Sequence, residues 1–272
     1  MGDGLNATPL YHLKTIVSIM KHKLIIIFAL ALIIFGCEDE ITQPDELSNK
    51  NLLHRQYPEA TKNSYIEYFY DSSFKVVKRE NFGDGKLEAK IEYFYNDKNN
   101  IIKETTYHTY FGGPEYSYFL HEYDQKNFIV KTLAYLFMGT DTYDFRSTTT
   151  YEYDTNNRIV VESIYNTEGT KTKYLELFYD SVGNVIETNF YQGGKLSFND
   201  KYKYDNKNNP LQFLTKSVDV YNLSPNNIVE HSQINYMMIG ADYARKYSYE
   251  YNGSNFPISC TSGSQKVIFE YY

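Results

Sequence analysis

The chain has 272 residues and a formal net charge of −7, and this acidic balance excludes the basic surface that a nucleic-acid partner needs. Hydrophobic residues make up 42% of the chain, with 30 Tyr and 17 Phe, which excludes a disordered polypeptide and is enough for one sizeable domain. Tyr, Thr, Ile and Val favour strands, so the composition points to an all-β protein.

Residues 20–37, MKHKLIIIFALALIIFGC, have the order of a secretory signal: two lysines, twelve apolar residues, then Gly36 and Cys37. The apolar run is too short to cross a bilayer, which needs about 20 helical residues. We therefore predict a signal peptide over residues 1–36, and Met20 is a better start than Met1. The end of this stretch resembles the lipobox of bacterial lipoproteins, which implies that Cys37 is lipidated and becomes the first mature residue. An uncleaved anchor and a plain secretory peptide are the alternatives.

An acidic, polar stretch, EDEITQPDELSNKN, follows Cys37 and cannot bury a core. Residues 37–60 are therefore predicted to be the lipidated Cys and a flexible tether. Acidic residues directly behind such a Cys resemble the export signal that sends lipoproteins of Bacteroidota-type bacteria to the outer face of the outer membrane. This resemblance implies a lipid-anchored protein of the cell outer membrane, exposed at the surface. A solvated linker on a periplasm-facing protein is the alternative.

Removing the predicted leader takes away three lysines and one aspartate, which changes the formal net charge from −7 to −9. The mature chain then keeps Cys260 as its one thiol besides the lipidated Cys37. We therefore expect no internal disulfide and no cysteine-rich metal site.

A short motif recurs seven times, mostly at intervals of 25 to 30 residues. It is clearest in YEYDTNNRIVV at residue 151 and LFYDSVGNVIE at residue 177. Its aromatic position is occupied by Tyr70, Tyr95, Tyr123, Tyr153, Tyr179, Tyr204 and Tyr251. The position that follows is Asp or Asn in all seven copies: Asp71, Asn96, Asp124, Asp154, Asp180, Asp205 and Asn252.

The Asp or Asn of each copy is suited to begin a type I turn, because its side chain accepts the backbone N–H two residues on. Three residues later, six of the seven copies carry Asn or Gly. These residues tolerate the positive φ that a type I turn closed by a bulge requires. Phe74 occupies this position in the first copy, so we expect that corner to be looser or distorted.

Turn signals of a second kind, such as FGDGKL at residue 82 and YQGGKL at residue 191, lie between the corners. Each repeat therefore contains two strands and two turns. We predict that residues 61–272 form an all-β domain, a long antiparallel meander of about 14 to 16 strands built from repeated hairpins. The sheet should be twisted and curled, open or partly closed, with no substantial helix outside the signal peptide. Tyr at two-residue spacing should stack into ladders across neighbouring strands.

The pattern Tyr-x-Tyr-Asp-x-x-Gly/Asn-x-Ile/Val resembles the YD repeat of Rhs-type surface proteins, and the resemblance covers nearly all of residues 65–272. It implies a long β-sheet that coils, sometimes into a shell. The chain lacks the many further copies, the associated core domain and a terminal toxin region, so a toxin-enclosing shell is not expected. Small lipoproteins with such repeats resemble an uncharacterised surface class.

A search for chemistry finds no phosphate loop, dinucleotide fingerprint or nucleophile elbow. The mature histidines, His54, His108, His121 and His231, lack metal-ligand spacing. NDKNN at residue 96 and DNKNN at residue 205 resemble calcium loops only faintly, because no closing Glu follows at the required spacing. We therefore predict no catalytic residue, no metal and no cofactor.

The predicted function is non-catalytic: binding of an extracellular polysaccharide or surface protein, or service as a surface scaffold. A polysaccharide hydrolase is one alternative, because two of the many carboxylates could meet in a cleft. A structural protein that self-associates through open sheet edges is another. An integral outer-membrane barrel is disfavoured, because Lys and Glu recur on the face opposite the Tyr ladder. Residues 211–248 break the repeat period, so we expect any ligand specificity there, with Met237 and Met238 as contact candidates.

Overall fold

The computed structural model describes residues 51–109, 115–137, 142–212, 214, 218–238 and 240–272. The predicted signal peptide, Cys37 and the tether as far as residue 50 lie outside the described residues. All described elements belong to one unit, residues 41–272. In the described part of the chain, no helix is long and apolar enough to span a membrane.

The described residues form seventeen strands and almost no helix. The strands are β1 (Leu53–Pro58), β2 (Tyr65–Tyr70), β3 (Val76–Gly83), β4 (Lys86–Tyr95), β5 (Ile101–His108), β6 (Glu115–Tyr123), β7 (Ile129–Phe137), β8 (Tyr143–Tyr153), β9 (Ile159–Tyr165), β10 (Lys171–Tyr179), β11 (Val185–Gln192), β12 (Lys195–Asn208), β13 (Asn226–Asn235), β14 (Tyr243–Lys246), β15 (Ser248–Tyr251), β16 (Pro257–Ser262) and β17 (Gln265–Tyr271). The helical elements are a 3-10 turn (Glu59–Thr61) and a single α-helical turn, α1 (Val220–Leu223).

The strands pair antiparallel in chain order from β1 to β14 and from β15 to β17. Tyr247 alone separates β14 from β15, and its N–H donates to the carbonyl of Val229 at 2.9 Å. β1 pairs with β2 on one side and with β17 on the other, so that Gln56 lies opposite both Ile66 and Phe269. The result is a nearly closed, barrel-like sheet, which confirms the predicted all-β meander.

Closure through β1 has two consequences for the predictions. The two ends of the sheet are joined through β1, so among the described strands the unpaired edges that the self-association alternative needs are those of β14 and β15, each of which has one paired neighbour. The predicted tether, residues 37–60, also extends too far, because Leu53 is buried and belongs to the core. β1 lies before the first copy of the repeat, so the repeat pattern does not mark it as a strand.

Six of the seven predicted corners are tight turns of one geometry. In each, the N–H of the Asp or Asn donates to the carbonyl four residues on, and its own carbonyl accepts the N–H three residues on, as in Asp154 with Arg158 (2.9 Å) and Asn157 (3.0 Å). The third residue after the Asp or Asn has positive φ in all six. Phe74 adopts the same conformation, with φ of +63°, and the same hydrogen bonds. The expectation of a looser first corner is therefore wrong, because the surrounding hairpin imposes the turn on Phe74.

Asp205 departs from the prediction of a turn. β12 continues through Asp205 to Asn208, which pairs with Asn226. The Asp205 carboxylate does accept the backbone N–H two residues on, that of Lys207 at 2.9 Å, as predicted, and it also accepts the N–H of Asn227 at 3.1 Å and the hydroxyl of Tyr251. The regular register between β12 and β13 is broken from Tyr204 to Asn208, so the strand passes this position through an irregularity and not through a hairpin turn.

The corner tyrosines tie each corner to the one before it. The hydroxyl of Tyr95 donates to the carbonyl of Val76 at 2.7 Å, and that of Tyr123 donates to Ile101 at 2.7 Å. The same bond recurs from the corner tyrosines Tyr70 to Leu53, Tyr153 to Ile129, Tyr179 to Ile159 and Tyr204 to Val185. Two further tyrosines, Tyr249 and Tyr271, bond Ile228 and Pro257 in the same way, whereas the last corner tyrosine, Tyr251, donates to the Asp205 carboxylate. Each accepting carbonyl belongs to the first residue, or nearly the first, of a strand, where a bulge or turn leaves it outside the regular ladder.

The apolar core lies on the face that carries the corner tyrosines. One cluster of buried residues comprises Leu53, Tyr68, Tyr70, Val76, Tyr93 and Ile101, and a second comprises Leu177, Val185, Val220 and Ile228. The opposite face carries ion pairs such as Lys78 with Glu80 at 2.9 Å. The Tyr face is therefore the inside of the barrel-like sheet and the charged face is the outside.

Candidate ligand-binding sites

The stretch between β12 and β13 is an inner segment, here the described residues 209–212, 214 and 218–225. Leu211 and Leu214 pack against the first core cluster, whereas Val218 and Leu223 pack against the second. An insertion that breaks a repeat is expected to form an outer loop. This one instead folds inward, because its apolar side chains can bury themselves against both halves of the sheet.

Buried polar contacts hold the inner segment in place. The side-chain amide of Asn209 donates to the carbonyls of Tyr221 at 2.6 Å and Ser224 at 2.8 Å. The hydroxyl of Ser224 donates to the Tyr204 hydroxyl at 3.0 Å and accepts the N–H of Val185 at 3.1 Å. These bonds join the segment to β11 and β12, so it is a fixed part of the interior rather than a separate loop.

An interior cavity of about 440 Å³ lies between this segment and strands β1–β3, β13 and β15–β17. Its apolar walls include Ile66, Leu211, Ile228, Val267 and Phe269. Among the described residues that line it, none is Lys, Arg, Asp, Glu or His, although 22% of the chain is charged. Its volume falls in the range of small-molecule sites, roughly 300–1,000 Å³.

The polar groups that line the interior cavity are uncharged, and they include the phenols of Tyr221, Tyr247 and Tyr249. The Tyr249 hydroxyl already donates its hydrogen bond within the protein, to the carbonyl of Ile228 at 2.9 Å. The hydroxyls of Tyr221 and Tyr247 make no hydrogen bond to any described residue, and 44% of the Tyr221 surface stays exposed. Burial raises the pKa of Tyr221 to about 12, so this phenol stays neutral and can both donate and accept a hydrogen bond.

A second space, the rim cleft, lies between three successive corners and the other side of the inner segment. It has a volume of about 450 Å³. Its walls include Tyr123, Phe128, Tyr153, Arg158 and Tyr179 from the corners, and Gln212, Asn222, Leu223 and Pro225 from the inner segment. Arg158 is its one charged residue among the described lining residues, whereas the described lining of the interior cavity carries no charged residue.

A chain of hydrogen-bonded polar side chains, here called the polar relay, crosses the inner face of β5–β8 and lies outside both the interior cavity and the rim cleft. The ring nitrogens of His121 contact Glu104 at 3.2 Å and Thr132 at 2.9 Å, and Thr132 bonds the Tyr151 hydroxyl at 2.9 Å. Nearby Glu162 pairs across the sheet with Tyr151, and burial raises the pKa of its carboxyl to about 7. Neither carboxylate lines the interior cavity or the rim cleft, so the relay gives the hydrolase alternative no cleft in which to act.

The described residues contain no group of three or more His, Cys, Asp or Glu side chains placed to hold a metal ion. His231 contacts Asp200 at 2.7 Å and stacks on Tyr202, which gives that histidine a structural position on the inner face.

The residues singled out in the sequence occupy different places. Tyr70 and Tyr95 lie in or against the first core cluster, whereas Tyr123, Tyr153 and Tyr179 contribute to the rim cleft. Of residues 211–248, the inner segment borders both spaces. Met237 and Met238 are 62% and 64% exposed and lie between β13 and β14, remote in sequence from that segment.

Sequence reasoning missed most walls of the interior cavity. Val267 and Phe269 alternate with Ile268 and Glu270 in KVIFEY, a pattern that marks an inward face. The pattern could have identified an inner wall, but it could not show that the opposite wall stands far enough away to leave a cavity.

No family model matches the chain, and no curated protein matches it either. Among solved structures, a porin-like protein from Bacteroides uniformis matches with a TM-score of 0.51 and 11% identity, over 80% of this chain and 95% of that one. A porin-like protein from Bacteroides vulgatus matches with a TM-score of 0.50 and 12% identity, over 82% of this chain and 99% of that one. At such identities the likeness shows the fold alone: the chain has the barrel-like antiparallel β architecture of these porin-like proteins.

Proposed function

We propose that this protein is a lipid-anchored component of the cell envelope whose β domain binds, without catalysis, an uncharged and mainly apolar small molecule in the interior cavity. The observation that carries the proposal is the absence of charge among the described residues that line a cavity of about 440 Å³. A charged ligand would lose its hydration there and gain no countercharge, a cost of several kcal/mol.

The polar groups of the cavity refine the ligand class. The unused hydroxyls of Tyr221 and Tyr247 can each meet one carbonyl or hydroxyl group of a ligand, and apolar walls surround them. Ligand sites of this kind combine apolar burial with a few placed polar groups. The ligand should therefore carry one or two neutral oxygen atoms on an apolar body.

The envelope location rests on the sequence. The predicted leader, its lipobox-like end at Cys37 and the acidic stretch behind it support anchoring in the outer membrane with surface exposure. Radiolabelled palmitate incorporation into the full chain, compared with Cys37→Ser, tests this point, because only a lipidated Cys37 predicts loss of label in the variant.

The binding proposal is tested with the full chain, purified and dialysed free of detergent. The uncharged dye Nile red should bind with increased fluorescence, and 1-decanol should displace it at least about tenfold more effectively than decanoate, which differs in carrying a charge. Val267→Phe, which fills the cavity, should weaken dye binding. Ile268→Phe, on the neighbouring outward position, is the matched control and should leave it unchanged. Equal displacement by decanoate, or equal effects of the two variants, would contradict the proposal.

A further inference from the structure

We infer that the rim cleft is a second binding site, for an uncharged saccharide. It differs from the interior cavity in position, in lining and in the ligand class that its side chains suit. The two proposals do not depend on each other, because the inner segment stands between the two sets of lining residues.

Planar side chains lie along the corners that form the rim cleft. The rings of Phe128 and Tyr153 lie 5.0 Å apart, and the guanidinium of Arg158 lies 4.5 Å from the centre of the Tyr179 ring. Each corner thus holds a planar group against the tyrosine of the next corner. Ring faces and guanidinium planes are surfaces on which the apolar face of a pyranose ring can stack.

The spacing of these planar groups follows from the repeat. Tyr123, Tyr153 and Tyr179 end β6, β8 and β10, so successive corners are two strands apart. Adjacent strands are about 4.8 Å apart, which places successive corners roughly 10 Å apart along the rim. Two consecutive rings of a linear glycan span a distance similar to the spacing between successive corners. The regularly spaced corners therefore suit a ligand that is itself a chain of regularly spaced rings.

The rim cleft also contains side-chain amides that are free to bind a ligand. The side-chain amides of Asn157 and Gln212 line the cleft from opposite sides, and neither makes a hydrogen bond to a described residue. An amide donates and accepts at once, which matches a pair of neighbouring sugar hydroxyls. A purely apolar ligand would leave both amides without partners, which disfavours it here.

The charge balance of the cleft points to a neutral sugar. Arg158 is held by the carboxylate of Asp154, with nitrogen–oxygen distances of 2.8 Å and 2.7 Å, and donates to the carbonyl of Asp180 at 3.2 Å. Its charge is therefore balanced within the corner, and its guanidinium is fixed as a flat surface. An acidic polysaccharide would find no unpaired cation among the described lining residues.

The repeat provides a matched control. Asn255 and Phe256 occupy, in the last corner, the positions that Asn157 and Phe128 occupy in theirs: Asn255 has φ of +63° and Phe256 packs on Tyr271. Neither lines the rim cleft. Phe128→Leu with Asn157→Gly and Phe256→Leu with Asn255→Gly therefore make the same substitutions inside and outside the cleft, and Gly accepts the positive φ in both. The control also removes the hydrogen bond that Lys207 donates to the Asn255 side chain at 2.8 Å, which affects stability and not the cleft.

The experiment is calorimetric titration of the full chain with cellohexaose, xylohexaose, maltohexaose and laminarihexaose, and with oligogalacturonate as the acidic probe. At least one neutral hexasaccharide should bind, the cleft variant should lose at least about tenfold in affinity, and the control variant should bind normally. Thermal unfolding of both variants verifies that they fold. Val267→Phe should leave saccharide binding unchanged, which separates this site from the interior cavity.

Three results would overturn the inference. These are no binding of any neutral hexasaccharide by the folded wild-type chain, equal loss in the cleft and control variants, and binding of oligogalacturonate alone. Capture of a protein by the rim with no saccharide binding would count as the first of these.

Discussion

The hydroxyl of Tyr153 donates to the carbonyl of Ile129 at 2.8 Å, and this one bond links two successive corners through residues that are 24 positions apart in the chain. The bond is the repeating unit of the fold, because equivalent pairs recur around the barrel-like sheet. It explains why the repeat carries Tyr rather than Phe at this position: the ring fills the core, and the hydroxyl satisfies a carbonyl that the strand ladder leaves free.

Tyr153→Phe should destabilise the protein by about 1 kcal/mol, because it removes one hydrogen bond and leaves the Ile129 carbonyl without this donor. Urea unfolding of the full chain measures the loss. Tyr165→Phe is the control, since the Tyr165 hydroxyl makes no hydrogen bond in the described structure, and it should unfold like the wild type. Equal stability of Tyr153→Phe and wild type would show that the bond contributes nothing.

The first corner offers a stabilising substitution. Phe74 holds φ of +63°, a conformation that costs a non-glycine residue about 1 kcal/mol and that Asn tolerates better. Phe74→Asn should therefore raise the unfolding free energy by about that amount. The reciprocal change at the second corner, Asn99→Phe, places Phe at φ of +61° and should lower it. A loss of stability in Phe74→Asn would mean that the ring contributes more by packing than it costs by strain.

Asp154 should contribute to acid sensitivity. Its carboxylate accepts the backbone N–H groups of Arg158 and Asn156, both at 2.9 Å, and the first of these is the main cause of its lowered pKa. The folded-state pKa therefore lies below the unfolded value of about 3.9, so the stabilisation is fully present above that value and is lost as pH falls through the folded pKa.

Asp154→Asn should accordingly show a smaller decrease in unfolding free energy than the wild type as the pH falls below about 4. Urea midpoints at a series of pH values provide the measurement. Asp97→Asn, at an Asp whose side chain makes no hydrogen bond in the described structure, should retain the wild-type pH dependence. If Asp154→Asn and the wild type lose stability identically as the pH falls, Asp154 does not contribute to acid sensitivity.

Glu162 should make the protein less stable as the pH rises, which is the opposite of the effect of Asp154. Burial raises its pKa to about 7, so the folded state holds this proton more tightly than the unfolded state. Stability should therefore fall as pH rises from about 4.5 through 7, and remain reduced above that.

Glu162→Gln should be more stable than the wild type at pH 8 by on the order of 2 kcal/mol, and the difference should vanish near pH 4. Unfolding at these two pH values tests the sign as well as the size. A constant difference at both pH values would point to a packing effect of the substitution and not to ionisation.

Several features were readable from the sequence because their causes are local. The turn at Asp154 depends on residues 154–158, and Asn157 at its bulge position is found at φ of +64°. The alternation of Tyr151 and Tyr153 predicted one inward face, and the all-β meander followed from counting the corners and the opposite turns. Phe74 shows the limit of this reasoning, since its intrinsic preference is overruled by a hairpin that is stabilised elsewhere.

The sequence by itself determined the strands that flank the repeat corners, five of the corner turns and the face that the corner tyrosines occupy, because two-residue alternation and turn chemistry act over a few neighbouring residues. Only the tertiary structure decided that β1 closes the sheet, that β12 continues past Asp205 with a break in its register, and that the inner segment folds inward to border two spaces with different linings. These outcomes depend on pairs such as Gln56 with Phe269 and Asn208 with Asn226, whose partners lie far apart in the chain or across an insertion. The local residues do not identify which distant strand will pair with them, or which core surface will bury their apolar side chains.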